Sequence, residues 1–186
     1  MSENPIALRS KKKLVDALEE LIHEKPYHDI TITELCTRAK LSRPAFYQNF
    51  GRIDDVMRRL VYEKVKATAN GMDLSEDLSS RELAETYFQI LNENLELMKI
   101  LVDNDLSGII IEMCTSVFME MPQSYGNLAD CEDYDTQRFY SAFVSAGAAT
   151  VLSSWLVKEN SLCEEDVIAI IQMALEGRPF RDDQRF

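Results

Sequence analysis

Residues 31–50 decide the fold, and they read TITELCTRAKLSRPAFYQNF. Thr31 and Glu34 form a capping-box pattern, in which the threonine hydroxyl accepts from the Glu34 backbone N–H and the carboxylate reaches back to the Thr31 N–H. Ser42 has the side chain to cap a second short helix, and Pro44 is tolerated in its first turn, where backbone amides have no partner. The stretch therefore predicts two short helices joined by a tight turn, a helix-turn-helix.

The second short helix has one apolar side and one side suited to a nucleic acid. Phe46 and Phe50, four residues apart, form the side predicted to be buried. On the other side, Arg43 can fork onto guanine and Gln48 can pair with adenine. The Tyr47 phenol suits a phosphate oxygen. The alternative for these three side chains is an ordinary solvated helix face. The small residues and amides of the outer side are Pro44, Ala45, Gln48 and Asn49.

This stretch resembles the DNA-binding domain of the TetR (tetracycline repressor-like) family, over roughly residues 8–60. The strongest part of the pattern is Phe46-Tyr47 followed by Phe50. The resemblance implies an all-helical homodimer whose N-terminal three-helix domain reads an operator in double-stranded DNA. It also implies a C-terminal helical bundle that dimerises and binds a small effector, which in most members releases the DNA. By the family's pattern, the DNA-binding residues are Ser42, Arg43, Pro44, Ala45 and Gln48 at the bases, Thr31, Tyr47 and Asn49 at phosphates, and also Thr33.

Two positions depart from the family's pattern. Lys40 stands in the turn where the family usually has glycine, so we expect a strained left-handed residue there. Ile53 stands where a lysine usually touches a phosphate at the start of the next helix. Arg52 is the candidate substitute for that missing charge.

The charge of the chain differs between its two parts. The 186 residues carry a formal net charge of −12. Residues 1–66 contain 13 Lys and Arg against 10 Asp and Glu, whereas residues 67–186 contain 7 against 22. The acidic remainder excludes non-specific nucleic-acid binding by the chain as a whole and confines any DNA contact to the front. We expect a helix-turn-helix domain over 1–70 and an effector-binding and dimerisation domain over 71–186.

Apolar periodicity and cap signals place the remaining helices. A first helix is expected after the cationic run Arg9–Lys13 and before Pro26, and a fourth from about Asp54 to Asn70. The other predicted helices are Arg81–Val102, one from an Asp105 cap to Met121, Tyr134–Lys158, and a last helix opened by a capping box at Ser161–Glu164 and ended by Gly177.

Two groups in the second half are candidate sites. Phe88, Met98, Met113 and Phe118 form an apolar set that suits an effector pocket, the alternative being plain core. The small number of cations in this half predicts an apolar ligand that is neutral or cationic. Gly147, Val151 and Trp155 form a candidate dimer interface, the alternative being packing within the chain. Segments 145–148 and 153–156 resemble the C-terminal domain of Firmicutes-type members.

Several classes of protein find no support in the sequence. There is no Gly-rich phosphate loop, nucleophile elbow or Cys/His cluster, so we expect no catalytic residues, no metal and no cofactor. There is no apolar stretch long enough for a bilayer and no signal-peptide pattern, which favours a cytoplasmic protein without a membrane partner. The favoured interpretation is a repressor released by an effector. The alternatives are a co-activator or adaptor of the same fold controlled by a protein partner, and more remotely a helical enzyme.

Overall fold

The computed structural model describes residues 5–72, 78–120, 134–157 and 162–176. Within those ranges the chain forms nine α-helices, one 3-10 turn and no strand, which confirms the predicted all-α class. The chain divides into two compact units, Met1–Lys64 and Val65–Phe186, with the boundary inside the fourth helix. The functional division at residue 70 stays a prediction.

Four helices begin in the described part of the first unit. They are α1 (Pro5–Glu24), α2 (Ile32–Ala39), α3 (Arg43–Asn49) and α4 (Ile53–Asn70). The prediction that α1 begins after the cationic run is wrong, because the run lies inside the helix. Pro5 explains the earlier start, since its fixed φ suits the first helical position, where the missing N–H costs nothing.

The core of the first unit is built around α1 and Phe46. Leu14, Leu18, Leu21 and Phe46 are fully buried. Burial of a side chain of this size contributes about 1.5–3 kcal/mol. Helices as short as α2 and α3 are not stable alone in water, so their packing against α1 and against each other is what keeps them folded. The other apolar side chains of this core that are at most 2% exposed are Val15, Leu35, Val56, Met57, Leu60 and Val61.

Both short helices have the predicted side-chain caps. Thr31 Oγ1 accepts from the Glu34 backbone N–H at 3.2 Å, and Ser42 Oγ accepts from the Ala45 backbone N–H at 3.3 Å. Pro44 lies in the first turn of α3, as expected. These caps satisfy backbone donors that the helices themselves leave unpaired.

The turn between α2 and α3 contains the expected left-handed residue. Lys40 has φ 54° and ψ 45°, which confirms the prediction made from its position in the turn. Its N–H donates to Thr37 O at 3.2 Å, and the Leu41 N–H donates to Cys36 O at 2.9 Å. This pair of bonds is a Schellman motif, which satisfies the last carbonyls of α2 and turns the chain into α3.

Five helices form the described part of the second unit. They are α5 (Ser80–Glu93), α6 (Leu95–Asp103), α7 (Ser107–Glu120), α8 (Tyr134–Val157) and α9 (Glu164–Leu175). Helix α5 packs against α9, and α7 packs against α8. The predicted helix at Tyr134–Lys158 is confirmed as far as Val157, and Lys158 lies outside the described residues. None of the described helices is long and apolar enough to cross a bilayer.

Three predicted boundaries in the second unit are wrong. The single helix expected over Arg81–Val102 is broken at Asn94, whose backbone has φ −112° and ψ 24°. The Asn94 side-chain amide donates to Ile90 O at 2.7 Å and to Thr68 Oγ1 at 3.1 Å. A side chain that bonds the backbone in this way competes with helix continuation.

The second and third corrections concern the starts of α7 and α9. Asp105 has φ 58° and ends α6 in a second Schellman motif, so it does not cap α7. Helix α9 is capped at Cys163, whose N–H donates to Asp166 Oδ2 at 2.8 Å, two residues beyond the predicted Ser161. Ser161 and Gly177 lie outside the described residues.

The Lys40→Gly substitution should stabilise the protein by about 0.5–1 kcal/mol. A left-handed residue with a side chain costs about 1–2 kcal/mol, and the greater freedom of glycine in the unfolded chain takes back about 0.5–1 kcal/mol. Urea unfolding followed by far-UV circular dichroism measures the change. Thr37→Gly, an exposed position inside α2, is the matched control and should destabilise by about 0.3–0.5 kcal/mol. A lower unfolding midpoint for Lys40→Gly would contradict the strain argument.

Candidate nucleic-acid interface

The outer side of α3 presents its predicted side chains to solvent. Arg43, Pro44 and Gln48 are exposed, and Tyr47 is 53% exposed. Phe46 lies directly behind them at 0% exposure, and its ring meets the Tyr47 ring edge-on at 5.3 Å. The buried phenylalanine therefore fixes the rotation of α3, so that the arginine, the phenol and the amide face outward together.

The start of α2 and the two ends of α3 complete this surface. Thr31, Thr33 and Ser42 are exposed. Ala45 and Asn49 are half-buried, and the Asn49 Nδ2 donates to Ala45 O at 2.7 Å. The Asn49 amide is thus engaged by its own helix, and a phosphate contact at this residue stays a prediction.

The cations of the first unit divide into paired and unpaired groups. Arg38 ties α2 to α1, because its NH1 and NH2 donate to the Glu24 carboxylate at 2.8 and 2.6 Å and its NH1 also reaches Glu20 at 3.1 Å. By contrast, Lys40 and Arg43 form no ion pair with any described residue. Further paired cations are Lys12 with Asp16, Lys25 with Glu34, Arg52 with Asp54, Arg58 with Asp55, Arg59 with Glu63, and Lys64 with Glu19.

The pKa shifts follow from these pairs. The hydrogen bond from Arg38 lowers the pKa of the Glu24 carboxyl, and the hydrogen bond from Lys25 lowers that of Glu34. Both carboxylates therefore stay ionised to a lower pH than free glutamates, and their ion pairs hold Arg38 and Lys25 where the end of α1 meets α2. Among the described residues, the positive charge left available near the outer side of α3 belongs to Arg43 and, in the turn before it, to Lys40, and both can meet an anionic partner.

The corner between α3 and α4 is held by two aspartates. Asp55 Oδ2 accepts from the backbone N–H groups of Gly51 and Arg52 at 3.1 and 2.9 Å. Asp54 Oδ1 accepts from the buried Tyr27 hydroxyl at 2.6 Å. Burial and this hydrogen bond raise the pKa of Tyr27, so its hydroxyl remains a donor. The Tyr27–Asp54 bond joins residues far apart in sequence, and the sequence analysis missed it.

The second unit contains a narrow apolar cleft of about 300 Å³ including its open mouth, whose enclosed part holds about one water molecule. Phe88 and Met98 lie in its wall, and their role in an effector site stays a prediction. Met113 is buried but is not part of that wall, and the Phe118 side chain lies outside the described residues. The lining residues are Phe88, Leu91, Asn92, Leu95, Met98, Ile110, Leu152, Ser153, Trp155 and Leu156.

Helix α8 carries an exposed apolar face. Phe139 is 73% exposed and Phe143 is 77% exposed, and Gly147 follows at the same four-residue spacing. A Cβ on Gly147 would meet no atom within 4 Å, so packing within the described chain does not require glycine there. Val151, further along, is half-buried.

Trp155 is engaged inside its own chain. Its ring packs edge-on against Phe88 with 5.3 Å between centroids, and its Nε1 donates to Leu162 O at 3.2 Å. A role for Trp155 at a dimer interface stays a prediction.

Comparison with known proteins assigns the helix-turn-helix. Residues 14–60 match the sequence model described as "Bacterial regulatory proteins, tetR family". Residues 14–60 therefore form a TetR-type helix-turn-helix domain. Over 104 residues it is 29% identical to a protein of Bacillus subtilis (strain 168) named "Uncharacterized HTH-type transcriptional regulator YdgC". That alignment covers 50% of this chain and 53% of the relative, so the chain spans about half the length of the curated relative it matches.

A solved structure extends the likeness of fold beyond the TetR N-terminal domain. The crystal structure of a TetR transcriptional regulator from Rhodococcus sp. RHA1 aligns with a TM-score of 0.54 at 16% identity, covering 94% of this chain and 96% of that chain. At this identity the likeness establishes the fold alone. The Firmicutes-type character of segments 145–148 and 153–156 stays a prediction.

The TetR-type domain of this chain departs from the family's pattern at two positions whose surroundings are now defined. Lys40 adopts the left-handed conformation that glycine adopts more easily, and its side chain is exposed. Ile53 is half-buried at the first residue of α4, whereas the neighbouring Arg52 side chain is 78% exposed. Arg52 is therefore the nearest cation to the position where the family usually has a lysine.

The sequence analysis also missed the two exposed phenylalanines of α8. Their spacing with Gly147 places all three on one helical face, and that periodicity was the available signal. It was obscured because apolar residues surround most of α8, so no polar face marks which side is outward.

Proposed function

We propose that this TetR-family protein is a DNA-binding transcriptional repressor that acts as a homodimer and leaves a near-palindromic operator when a small molecule binds its second unit. The observation that carries the proposal is the outer side of α3. It combines an unpaired arginine, an exposed phenol and an exposed amide on a helix anchored by a fully buried phenylalanine.

Each group on α3 has a distinct task in this proposal. Arg43 is suited to the two acceptors of a guanine, and Gln48 to the donor and acceptor of an adenine. Tyr47, together with Thr31 at the start of α2, is placed to contact phosphates, which position the protein without reading sequence. The acidic second half repels phosphates and keeps the contact on the first unit.

The homodimer is supported by the face of α8. Two large exposed aromatic rings on one helical face are costly in water and are typical of surfaces that a partner covers. Gly147, next along that face, permits close approach of a second helix at a cost of about 1 kcal/mol relative to alanine. A dimer would place two copies of α3 in successive major grooves, about 34–36 Å apart.

The effector is proposed to bind the cleft beside Phe88 and Met98. Among the described residues of its wall, the polar side chains other than the tryptophan are Asn92 and Ser153, and none is charged. An anion there would have no cation to pair with, which favours an apolar ligand that is neutral or cationic. Because the enclosed part of the cleft holds about one water molecule, a drug-sized ligand must open the cleft as it binds.

Selection of bound duplexes from a random DNA library by the full-length protein tests the function. We expect enrichment of an inverted repeat whose half-sites are about one helical turn apart, and binding that weakens steeply with salt. Absence of any enriched sequence with purified protein, and its appearance only after lysate is added, would favour the adaptor alternative.

Arg43→Ala should weaken binding to the selected operator by about 1–3 kcal/mol and relax the preference at one base position. Tyr47→Phe should weaken all sequences equally, because a phosphate contact contains no base information. Both side chains are exposed, so both variants should unfold at the wild-type temperature. Gel shifts on the operator and on single-base variants compare the two. Indistinguishable profiles would refute this division of tasks.

Gly147→Leu should convert the dimer into a folded monomer, weakening self-association at least about tenfold, or 1.4 kcal/mol. A Cβ at this position meets no atom of the described chain within 4 Å, whereas a closely packed facing helix would collide with a leucine. Sedimentation over a concentration series measures the change. Gly108→Leu is the matched control, because Gly108 is also an exposed helical glycine with open space around it. A stable Gly147→Leu dimer would place the interface elsewhere.

Neutral and cationic aromatic compounds should bind more tightly than anionic compounds of the same size. Trp155 is the only tryptophan of the chain and lies in the cleft wall, so its fluorescence reports binding there. Met98→Ala should shift the preference to larger ligands, because it enlarges the cleft. Met113→Ala is the control, since this residue is buried away from the wall and should lower stability by about 2–5 kcal/mol without changing the preference. Preferential binding of anions would contradict the proposed ligand class.

A further inference from the structure

The corner between α3 and α4 contains a cation with two competing uses. The Arg52 NH2 donates to Asp54 Oδ2 at 2.7 Å, while the Tyr27 hydroxyl donates to the other oxygen, Oδ1, at 2.6 Å. The Arg52 side chain is 78% exposed and that of Asp54 is 23% exposed. Asp54 is therefore the fixed member of the pair, because a buried phenol holds it, and Arg52 is the member free to move.

The other groups of this corner leave an anion few alternatives. The backbone N–H groups of Gly51 and Arg52 both donate to Asp55 Oδ2, so they are occupied. Ile53 has no charge. Arg58, one turn further along α4, pairs with Asp55 Oδ1 at 3.0 Å. Of residues 50–55, Arg52 alone is positively charged.

We propose that Asp54 is a built-in competitor for a DNA phosphate, which pairs with Arg52 in the free protein and gives it up when DNA binds. The inference rests on the proposed function and names a further affinity-setting residue of that interface. A guanidinium binds carboxylate and phosphate with the same two-pronged geometry, so the exchange needs only a rotation of an exposed side chain.

The exchange has a definite consequence for affinity. Every phosphate contact made by Arg52 first breaks an existing ion pair, so the contact contributes less than one made by an unpaired cation such as Arg43. Asp54 thereby weakens binding at the point where this chain has lost the usual lysine. Removing the charge of Asp54 should strengthen DNA binding, but only while Arg52 is present, because the gain comes from an Arg52 guanidinium that is no longer held by a carboxylate.

A double-mutant cycle on the full-length protein tests this coupling. The probe is an operator duplex of about 30 base pairs taken from the random-library selection, long enough for two successive major grooves. Asp54→Asn removes the charge and keeps an oxygen that accepts from Tyr27. Arg52→Gln removes the cation, and Arg52→Lys keeps it. Asp16→Asn is the matched control, because it breaks a surface ion pair with Lys12 and changes the net charge by the same amount.

The DNA affinities of four variants should depend on one another if Asp54 competes with DNA for Arg52. Asp54→Asn should tighten DNA binding about twofold to fivefold per subunit, the range that a surface ion pair is worth, and by more than Asp16→Asn does. Arg52→Gln should weaken binding and lower the slope of log affinity against log salt by about one unit per subunit, whereas Arg52→Lys should not change the slope. In the Arg52→Gln background, Asp54→Asn should add no more than Asp16→Asn.

Two outcomes would overturn the inference alone. One is that Asp54→Asn tightens DNA binding as much in the Arg52→Gln background as in the wild type. That result would mean that the aspartate simply repels DNA. The other is unchanged affinity and salt slope in Arg52→Gln, which would mean that Arg52 meets no phosphate. The Arg52 variants alter an exposed side chain, so they remain informative even if Asp54→Asn is unstable. Failure of the wild-type protein to bind any duplex would overturn the proposed function, and this inference with it.

Discussion

Burial of Phe46 is the interaction on which the outer side of α3 depends. A helix of seven residues does not persist in water by hydrogen bonding alone, because too few bonds form to repay its nucleation. The fully buried ring supplies the missing free energy and at the same time sets the rotation of the helix. The exposed face of α3 carries Arg43, Tyr47 and Gln48 because the Phe46 side chain is buried on the opposite side of the helix, between α1 and the neighbouring helices.

The ion pairs of the first unit also support the position of α3. Arg38 and Lys25 form ion pairs with carboxylates and so tie the C-terminal end of α1 to α2. These ion pairs hold in place the two helices against which α3 packs. Exposed ion pairs of this kind are individually weak, so their value lies in orientation more than in stability. The cations that remain unpaired near α3 are then those that an anionic partner reaches without first separating them from a carboxylate.

The elements that could be predicted from the sequence are those determined by residues close to one another along the chain. The caps at Thr31 and Ser42 and the left-handed turn at Lys40 each depend on residues within six positions, so a single sequence contains the whole signal. The break at Asn94 depends on a hydrogen bond to Thr68, and the locked corner depends on Tyr27 reaching Asp54. Such pairings arise from tertiary structure, and no spacing rule indicates them. The two α8 phenylalanines are intermediate, since their spacing is regular but nearly every face of the helix is apolar.

The narrowness of the cleft bears on how an effector would act. A ligand changes DNA affinity only if it binds two conformations of the protein with different strength. A cavity equally open in the DNA-binding and the DNA-free conformation would accept ligand without that difference, and binding would then regulate nothing. Here the wall formed by Phe88 and Trp155 leaves room for about one water molecule, and Trp155 is held in place by its bond to Leu162. Any larger ligand must therefore select or create a conformation in which that wall has moved, which is the property that a ligand-controlled regulator requires.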